Sequence, residues 1–277
     1  KINSSNLALK AVKKSIFKMI PEKVKNLLEA PSEAFRFQNI VEIKMDTYIN
    51  IYWGEESIGY LEKGVNIFSP KLNILNSELL DNNDREKIIK KLQIWTDTQI
   101  ENLLKPININ TNDISQSSNV RSIAYILFHN LGCAHKKEFP IQFEKLSDNE
   151  KRDLSKLGIR TGIEFFYFPN FLKKKAIELR AMLWKVYNSY SNVYEYPLPS
   201  DGRVYFPIKN LYKNLPETYW TAIGYKRIKD FAVRVDIVER VFFLARQKYR
   251  FGPFTQDPSL MNLIGCNSEQ LTKILDF

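Results

Sequence analysis

The spacing of apolar residues changes twice along the first third of the chain, and this change restricts the fold more than any other feature. Apolar side chains recur at helical spacing from Leu7 to Leu28. Between Ile40 and Leu75 the period approaches two, with turn signals at Gly54–Ser57 and Lys63–Gly64. Helical spacing returns from Asn83 to Lys105. These patterns predict a small α+β module of helix, β-hairpin or small meander, and helix.

A polar stretch follows this module. The segment from Pro106 to Asn119 is rich in Asn, Ser and Thr and offers few core residues, which is typical of a connecting loop. We therefore expect an accessory module at residues 1–107, a linker at 108–119 and a basic C-terminal domain at 120–277. The whole chain is predicted to be α+β and mostly helical, with a few short strands in the second domain.

Helical patterns dominate the second domain. A capping-box sequence at Ser147–Glu150 marks one helix start. A buried strand is predicted at Ile163–Phe168 and a short hairpin at Tyr225–Val235. The other predicted helices cover Val120–Leu131, Pro169–Tyr187, Glu217–Ile223, Asp236–Tyr249, Pro258–Ile264 and Ser268–Phe277.

The composition excludes several classes of protein. With 44% hydrophobic residues the chain can bury a substantial core, yet no run approaches the roughly 18 apolar residues of a membrane span. The N-terminus lacks the apolar segment of a signal peptide. The two cysteines, Cys133 and Cys266, are typical of reduced thiols rather than of a disulfide framework. We expect a soluble cytoplasmic protein without a membrane partner.

The ends of the chain suggest a longer parent protein. Lys1 stands where an initiator methionine is expected, and the final amphipathic helix stops without a C-cap. We expect a piece of a larger polypeptide.

Positive charge is concentrated in the C-terminal part. The net charge is +10, and residues 151–277 hold 21 Lys and Arg against 12 Asp and Glu. An excess of this kind is the electrostatic footprint of a nucleic-acid binder, since phosphate contacts dominate affinity. A lysine-rich composition also arises from a genome rich in A and T, which the abundance of Lys, Asn and Ile would equally fit.

Motifs of enzymes and metal sites are largely missing. The sequence has no phosphate-binding loop, no dinucleotide fingerprint, no zincin motif and no arrangement of Ser, His and Asp. His129, Cys133 and His135 supply three residues of metal-ligand type, one short of a structural zinc site. We therefore predict no catalytic residue, no metal and no cofactor in this segment.

Basic residues are the candidates for binding. Lys173, Lys174 and Lys175 stand at the start of a predicted helix that also contains Arg180. Together these residues would form a basic face that contacts the phosphates of a nucleic-acid strand. For any single lysine a solvated helix surface is the simpler interpretation. The same two interpretations apply to residues on or near the predicted hairpin and the loop before it, namely Arg203, Lys226, Arg227 and Arg234. Three more arginines follow on the next helix: Arg240, Arg246 and Arg250.

Aromatic residues lie among these basic ones. Tyr219, Trp220 and Tyr225 could stack on bases, although residues at this spacing more often belong to a core. Asp236 and Glu239 are expected to pair with neighbours rather than to act as acid and base.

Several motifs resemble the C-terminal region of bacterial superfamily-2 helicases similar to the mitochondrial degradosome RNA helicase. The motifs lie at Leu157–Gly162, Phe166–Pro169, Leu172–Lys173, Leu179–Trp184, Tyr219–Tyr225, Ala232–Arg240, Gly252–Phe254 and Leu263–Cys266. Upstream, Gly59–Glu62 and the helix with Leu92 and Trp95 are similar to the accessory module of that family. The resemblance covers nearly the whole chain, with substitutions towards Lys, Asn and Ile and a more polar linker at Asn108–Asn119.

The resemblance implies an accessory fragment of an ATP-dependent helicase that grips a nucleic-acid strand beside the motor. The two RecA-like motor domains, with ATP and Mg²⁺, would precede this region, and none of their residues is present here. The implied partners are a single strand of RNA or DNA and the helicase's own motor domains. The implied contacts to the backbone come from Lys173, Lys174, Lys175, Arg180, Arg203, Lys226, Arg227 and Arg234.

Two other functions compete with this one. The first is a protein-interaction or structural scaffold, in which the hairpin module of residues 35–75 docks a partner or covers the motor. Basic residues scattered over all faces, or paired with carboxylates, would favour it. The second is an independent enzyme with an unrecognised site, for which no nucleophile with a base can be named.

Overall fold

The computed structural model describes residues 18–39, 49–75, 77–105, 117–140, 146–188, 197–200, 203–253 and 258–276. Over these residues the chain is α+β with small antiparallel sheets, so the predicted class is confirmed. Residues 7–17 of the first predicted helix, 40–48 of the predicted hairpin segment and most of the predicted linker fall outside this range.

The chain divides into two compact units. The described residues within Lys1–Gln99 and Val186–Ser189 form unit 1, and those within Ile100–Lys185 and Tyr190–Phe277 form unit 2.

Unit 1 packs helices on a four-stranded meander with strand order β1-β2-β3-β4. Ile49 and Ile51 are fully buried on one face of the second strand, as their period-two spacing predicted. Of the predicted hairpin or small meander, the structure has the meander, because β1 and β4 pair on either side of the hairpin formed by β2 and β3. The elements are α1 (18–29), β1 (Phe35–Asn39), β2 (Ile49–Trp53), β3 (Glu56–Asn66), β4 (Ser69–Ile74) and α2 (Asn82–Leu104, of which residues 100–104 belong to unit 2).

The turn predicted at Lys63–Gly64 is wrong. Both residues lie inside β3, and the chain turns at residues 67 and 68 instead. The register of β3 against β4 shifts between Glu62 and Asn66, which marks a bulge. A Cβ atom on Gly64 would lie 1.7 Å from the carbonyl oxygen of Ser69. Glycine is needed at this position for close backbone approach, rather than for a turn.

Helix α2 is tied to the segment between α1 and β1. The ammonium of Lys91 donates to the carbonyls of Leu28 and Ala30 at 2.6 and 2.7 Å, and the indole of Trp95 donates to the carbonyl of Ser32 at 3.0 Å. These bonds satisfy carbonyls in the last turn of α1 and just after it, and they hold the entry to the sheet.

Unit 2 combines helices with two three-stranded antiparallel sheets, ordered β5-β7-β6 and β8-β10-β9. Its elements are α3 (Ser118–His129), β5 (Cys133–His135), α4 (Asp148–Lys156), β6 (Arg160–Thr161), β7 (Phe165–Tyr167), α5 (Lys174–Asn188, of which residues 186–188 belong to unit 1), β8 (Tyr205–Pro207), α6 (Glu217–Ala222), β9 (Tyr225–Ile228), β10 (Phe231–Arg234), α7 (Val235–Tyr249), α8 (Pro258–Ile264) and α9 (Ser268–Leu275).

Both sheets and the C-terminal helices contribute to one buried cluster in unit 2. Phe165 and Val233 enter it from the sheets, Val238 and Val241 from α7, and Leu260 from α8. This cluster fixes α7 with one face inward and the opposite face outward.

Local signals placed several elements of unit 2 correctly. The hydroxyl of Ser147 accepts from the amide of Glu150 at 3.3 Å, and the Glu150 carboxylate accepts from the Ser147 amide at 2.8 Å, so the predicted capping box is confirmed. The predicted hairpin is present as β9 and β10. In the part of the chain that the structure describes, no helix is long and apolar enough to cross a membrane.

Candidate nucleic-acid interface

Three consecutive lysines stand at the start of α5. Lys173 is extended, Lys174 opens the helix, and all three lysine side chains are exposed. The first turn of the helix carries no acidic residue. Because the N-terminus of a helix is the positive end of its dipole, each cation placed there costs about 0.3–1 kcal/mol. A bound anion at this position would offset the cost.

A cavity of about 240 Å³ opens beside these lysines. Lys173 and Lys174 line it together with Arg203 and Arg234, so four of the eight predicted contact residues share one cavity. We call this site the basic cavity. Its remaining lining residues are Leu172, Ile177, Glu178, Leu198, Pro199, Ser200 and Tyr225.

The cations of the basic cavity differ in how they are engaged. The guanidinium of Arg234 binds Asp236 in a bidentate pair, with N–O distances of 2.7 and 2.9 Å. This pair raises the pKa of Arg234. Among the residues that the structure describes, no carboxylate lies within 4.0 Å of the cationic groups of Lys173, Lys174 or Arg203. Within the described part of the chain, these three side chains therefore remain available to an external anion.

Tyr225, a core residue, forms part of the cavity wall. Tyr225 is buried, and its hydroxyl donates to the backbone carbonyl of Arg203. Burial raises the pKa of Tyr225 to about 12, which keeps the hydroxyl protonated near neutral pH. This bond fixes the Arg203 backbone against β9 while leaving the Arg203 side chain exposed.

Arg180 requires a correction. It is fully buried, and its guanidinium donates to the carbonyls of Leu131 and Phe171 at 3.2 and 2.7 Å. Burial is also the main cause that lowers the pKa of Arg180 to about 10. A side chain with no exposed surface cannot contact a phosphate backbone. Arg180 is therefore a core residue and is not one of the contact residues.

Lys226 and Arg227 do not line the basic cavity. The ammonium of Lys226 lies 2.8 Å from the carboxylate of Glu217, and its side chain is 12% exposed. The guanidinium of Arg227 donates to the carbonyl of Leu215 at 3.2 Å. Both residues therefore serve local structure on β9. Lys175 is exposed next to the cavity but is not among its lining residues.

The histidine and cysteine residues considered for metal binding have other surroundings. Cys133 is buried, and desolvation raises the pKa of its thiol to about 12. His135 caps a short 3₁₀ turn, with Nδ1 accepting from the amide of Lys137 at 3.0 Å, and burial lowers its pKa to about 4. No cluster of three or more His, Cys, Asp or Glu able to hold a metal ion occurs within the described residues.

The aromatic residues proposed for stacking are in the core. Tyr219, Trp220 and Tyr225 are each at most 1% exposed. Exposed aromatic residues lie elsewhere: Phe243, Tyr249 and Phe251 are 53%, 71% and 95% exposed, and Tyr125 on α3 is 59% exposed. Sequence reasoning did not single these out, although Phe243 stands three residues after Arg240 and three before Arg246, a spacing that places all three on neighbouring helix positions.

No protein family, no curated protein and no solved structure matches this chain.

Proposed function

We propose that this chain binds the backbone of a single nucleic-acid strand without reading its sequence, and that it does so as the C-terminal accessory region of an ATP-dependent helicase. The observation that carries the binding function is the basic cavity, where Lys173, Lys174 and Arg203 converge without a carboxylate partner among the described residues. The helicase assignment rests on the sequence resemblance.

The chemistry of the cavity favours a phosphate as its occupant. Ammonium and guanidinium groups make charge-assisted hydrogen bonds to phosphate oxygens, and these bonds are the stronger class of hydrogen bond. Among the described residues that line the cavity, the buried Tyr225 is the one aromatic side chain, which favours contacts to the backbone over contacts to bases.

The charge of the chain supports the same proposal. Residues 151–277 contain 21 basic against 12 acidic residues, and the basic cavity lies in this segment. A surplus of this sign attracts a strand over distances beyond direct contact.

The proposed role for this segment is binding and not catalysis. ATP and Mg²⁺ would act in the motor domains of the parent helicase, and the basic cavity would hold the strand for that motor.

The basic cavity is tested by changing its three open cations together. In the Lys173→Ala, Lys174→Ala, Arg203→Ala variant we expect weaker binding of a single strand of about 15 nucleotides, measured by fluorescence anisotropy over a salt series. Each lost phosphate contact reduces the log–log salt slope by about 0.7, so the slope should fall by about 2.

A matched control separates this site from general charge. The Lys18→Ala, Lys25→Ala, Lys87→Ala variant removes the same charge from three exposed positions of unit 1. It should keep the wild-type slope. Equal losses in both variants, or no loss in the cavity variant while far-UV circular dichroism shows a folded chain, would exclude the basic cavity as the binding site.

A protein-interaction scaffold is the second candidate, and an apolar groove in unit 1 favours it. The groove encloses about 360 Å³ and is lined mainly by apolar residues of α1, β3, β4, the segment after β4 and α2, with Lys23, Glu56 and Ser57 among them. Met19 and Leu79 on its rim are 68% and 39% exposed. If the folded chain binds no nucleic acid at low salt, this groove becomes the main candidate for function.

A further inference from the structure

Helix α7 has one face in the core and one face in solvent. Val235, Val238, Val241 and Ala245 are buried along its inner side. On the outer side, Phe243 is 53% exposed. Residues three, four and seven positions apart share a helix face, so Arg240, Arg246, Gln247 and Arg250 surround this ring.

Two further aromatic side chains stand at the end of this helix. Tyr249 is 71% exposed and Phe251 is 95% exposed. Single exposed apolar residues are ordinary on a protein surface. Three exposed aromatic rings within nine residues, interleaved with arginines, are a feature that the packing of unit 2 does not require.

The electrostatics of this surface favour an anionic occupant. Arg240 and Arg250 are exposed and, among the described residues, have no carboxylate within 4.0 Å. Arg246 has only a distant partner, with 3.9 Å to the Glu164 carboxylate. The acids of α7 are engaged elsewhere, because Asp236 binds Arg234 and Glu239 accepts from backbone amides of residues 163–165.

The occupant must offer both negative charge and flat apolar faces. A single nucleic-acid strand offers unstacked bases between phosphates, whereas a duplex hides those faces in its own stack. A lipid surface would select a segregated apolar stripe with basic residues at its edges. On α7 Arg240 and Arg246 lie three residues to either side of Phe243, and Arg250 follows seven residues after it, so rings and charges alternate along the sequence instead of separating into an apolar and a basic stripe.

We infer that the outer side and end of α7 form a base-stacking surface for a single nucleic-acid strand. We call it the α7 surface; it consists of Phe243, Tyr249 and Phe251 with Arg240, Arg246 and Arg250. This inference rests on the proposed function and adds to it. The basic cavity holds phosphates, and the α7 surface gives the chain its preference for unpaired bases of any sequence, because every base has a π-face.

The test compares an ordinary strand with an abasic strand of the same length and charge. Wild-type chain should bind an ordinary strand of about 15 nucleotides at least about tenfold more tightly than the abasic strand, since stacking on one ring alone is worth about that factor. In the Phe243→Ala, Tyr249→Ala, Phe251→Ala variant the two strands should bind equally, at the wild-type affinity for the abasic strand.

A second variant distinguishes stacking from simple apolar contact. Phe243→Leu, Tyr249→Leu, Phe251→Leu keeps apolar area but removes the rings, and it should lose the preference as the alanine variant does. A leucine variant that keeps the preference would overturn the stacking assignment. All three substituted positions are exposed, so both variants are expected to fold as the wild type does.

The outcomes separate this inference from the proposed function. Equal wild-type binding to both strands would overturn the stacking surface and leave the basic cavity in place. No binding to either strand by a folded chain would overturn both. Aromatic-dependent binding to vesicles of phosphatidylserine, without a preference between the two strands, would assign the α7 surface to lipid instead.

Discussion

At the scale of single residues, charge alone is a poor guide to exposure. Lys174 and Arg180 lie six residues apart on α5, yet one is exposed and the other fully buried. Arg180 falls four residues after Ala176 and three before Leu183, both of which are buried. The helical spacing therefore already indicated an inward position for Arg180, which the count of basic residues obscured.

The burial of Arg180 predicts a structural defect when it is removed. Arg180→Ala leaves a void and two backbone carbonyls without their donor, those of Leu131 and Phe171. We expect the free energy of unfolding to fall by about 3–5 kcal/mol, measured by urea denaturation. Arg180→Met keeps much of the volume and should cost less, about 1–3 kcal/mol.

Nucleic-acid binding gives the control for this variant. Under conditions where Arg180→Ala is folded, its salt slope should equal that of the wild type. A stable Arg180→Ala chain with a reduced slope would show that the Arg180 side chain reaches the strand after all.

At the scale of elements, patterns in the sequence located most helices and, in unit 2, the strands β7, β9 and β10, but they missed β5, β6 and β8. The long helices α2 and α7 match their predicted ranges within a residue or two at each end, because several turns repeat the same apolar spacing. Strands β5 and β8 have three residues each, too few to show an alternating pattern. Their pairing with β7 and β10 depends on residues 24 to 34 positions away, which no local signal carries.

Glu239 connects α7 to the loop before β7 in a way that spacing does not predict. Its carboxylate accepts from the backbone amides of Ile163, Glu164 and Phe165, with 2.8 and 2.7 Å for the last two. Burial raises the pKa of Glu239, and these three donors oppose that increase. A Cβ atom on Gly162 would lie 2.3 Å from the same carboxylate, so the loop needs glycine there.

The connection predicts that Glu239→Gln destabilises unit 2. Glutamine has an NH2 group in place of one carboxylate oxygen, and this group cannot accept a hydrogen bond from a backbone amide. We therefore expect the free energy of unfolding, measured by urea denaturation, to fall by about 1–3 kcal/mol. Gly162→Ala should act through the same contact, so the double variant should lose less than the sum of the two single losses. Unchanged stability in Glu239→Gln would show that the three backbone bonds contribute nothing to the fold.

At the scale of the whole molecule, the sequence predicted the α+β class and a basic C-terminal part, because composition and periodicity are averaged over many residues. The sequence did not predict which basic side chains would line one cavity. The basic cavity joins residues from α5, from the segment before β8 and from the end of β10, and only the packing of unit 2 brings them together. The sequence did not predict the α7 surface either, since the exposure of Phe243 depends on which face of α7 packs against the core.

The central claim is that the chain binds a single strand through its backbone phosphates. The most direct measurement is fluorescence anisotropy of the wild-type chain with single-stranded RNA and DNA of equal length, from about 50 to 200 mM salt. The account predicts binding to both strands with a log–log salt slope of about −2 or steeper, from three or more phosphate contacts. No binding at about 50 mM salt, in a chain shown to be folded, would contradict it.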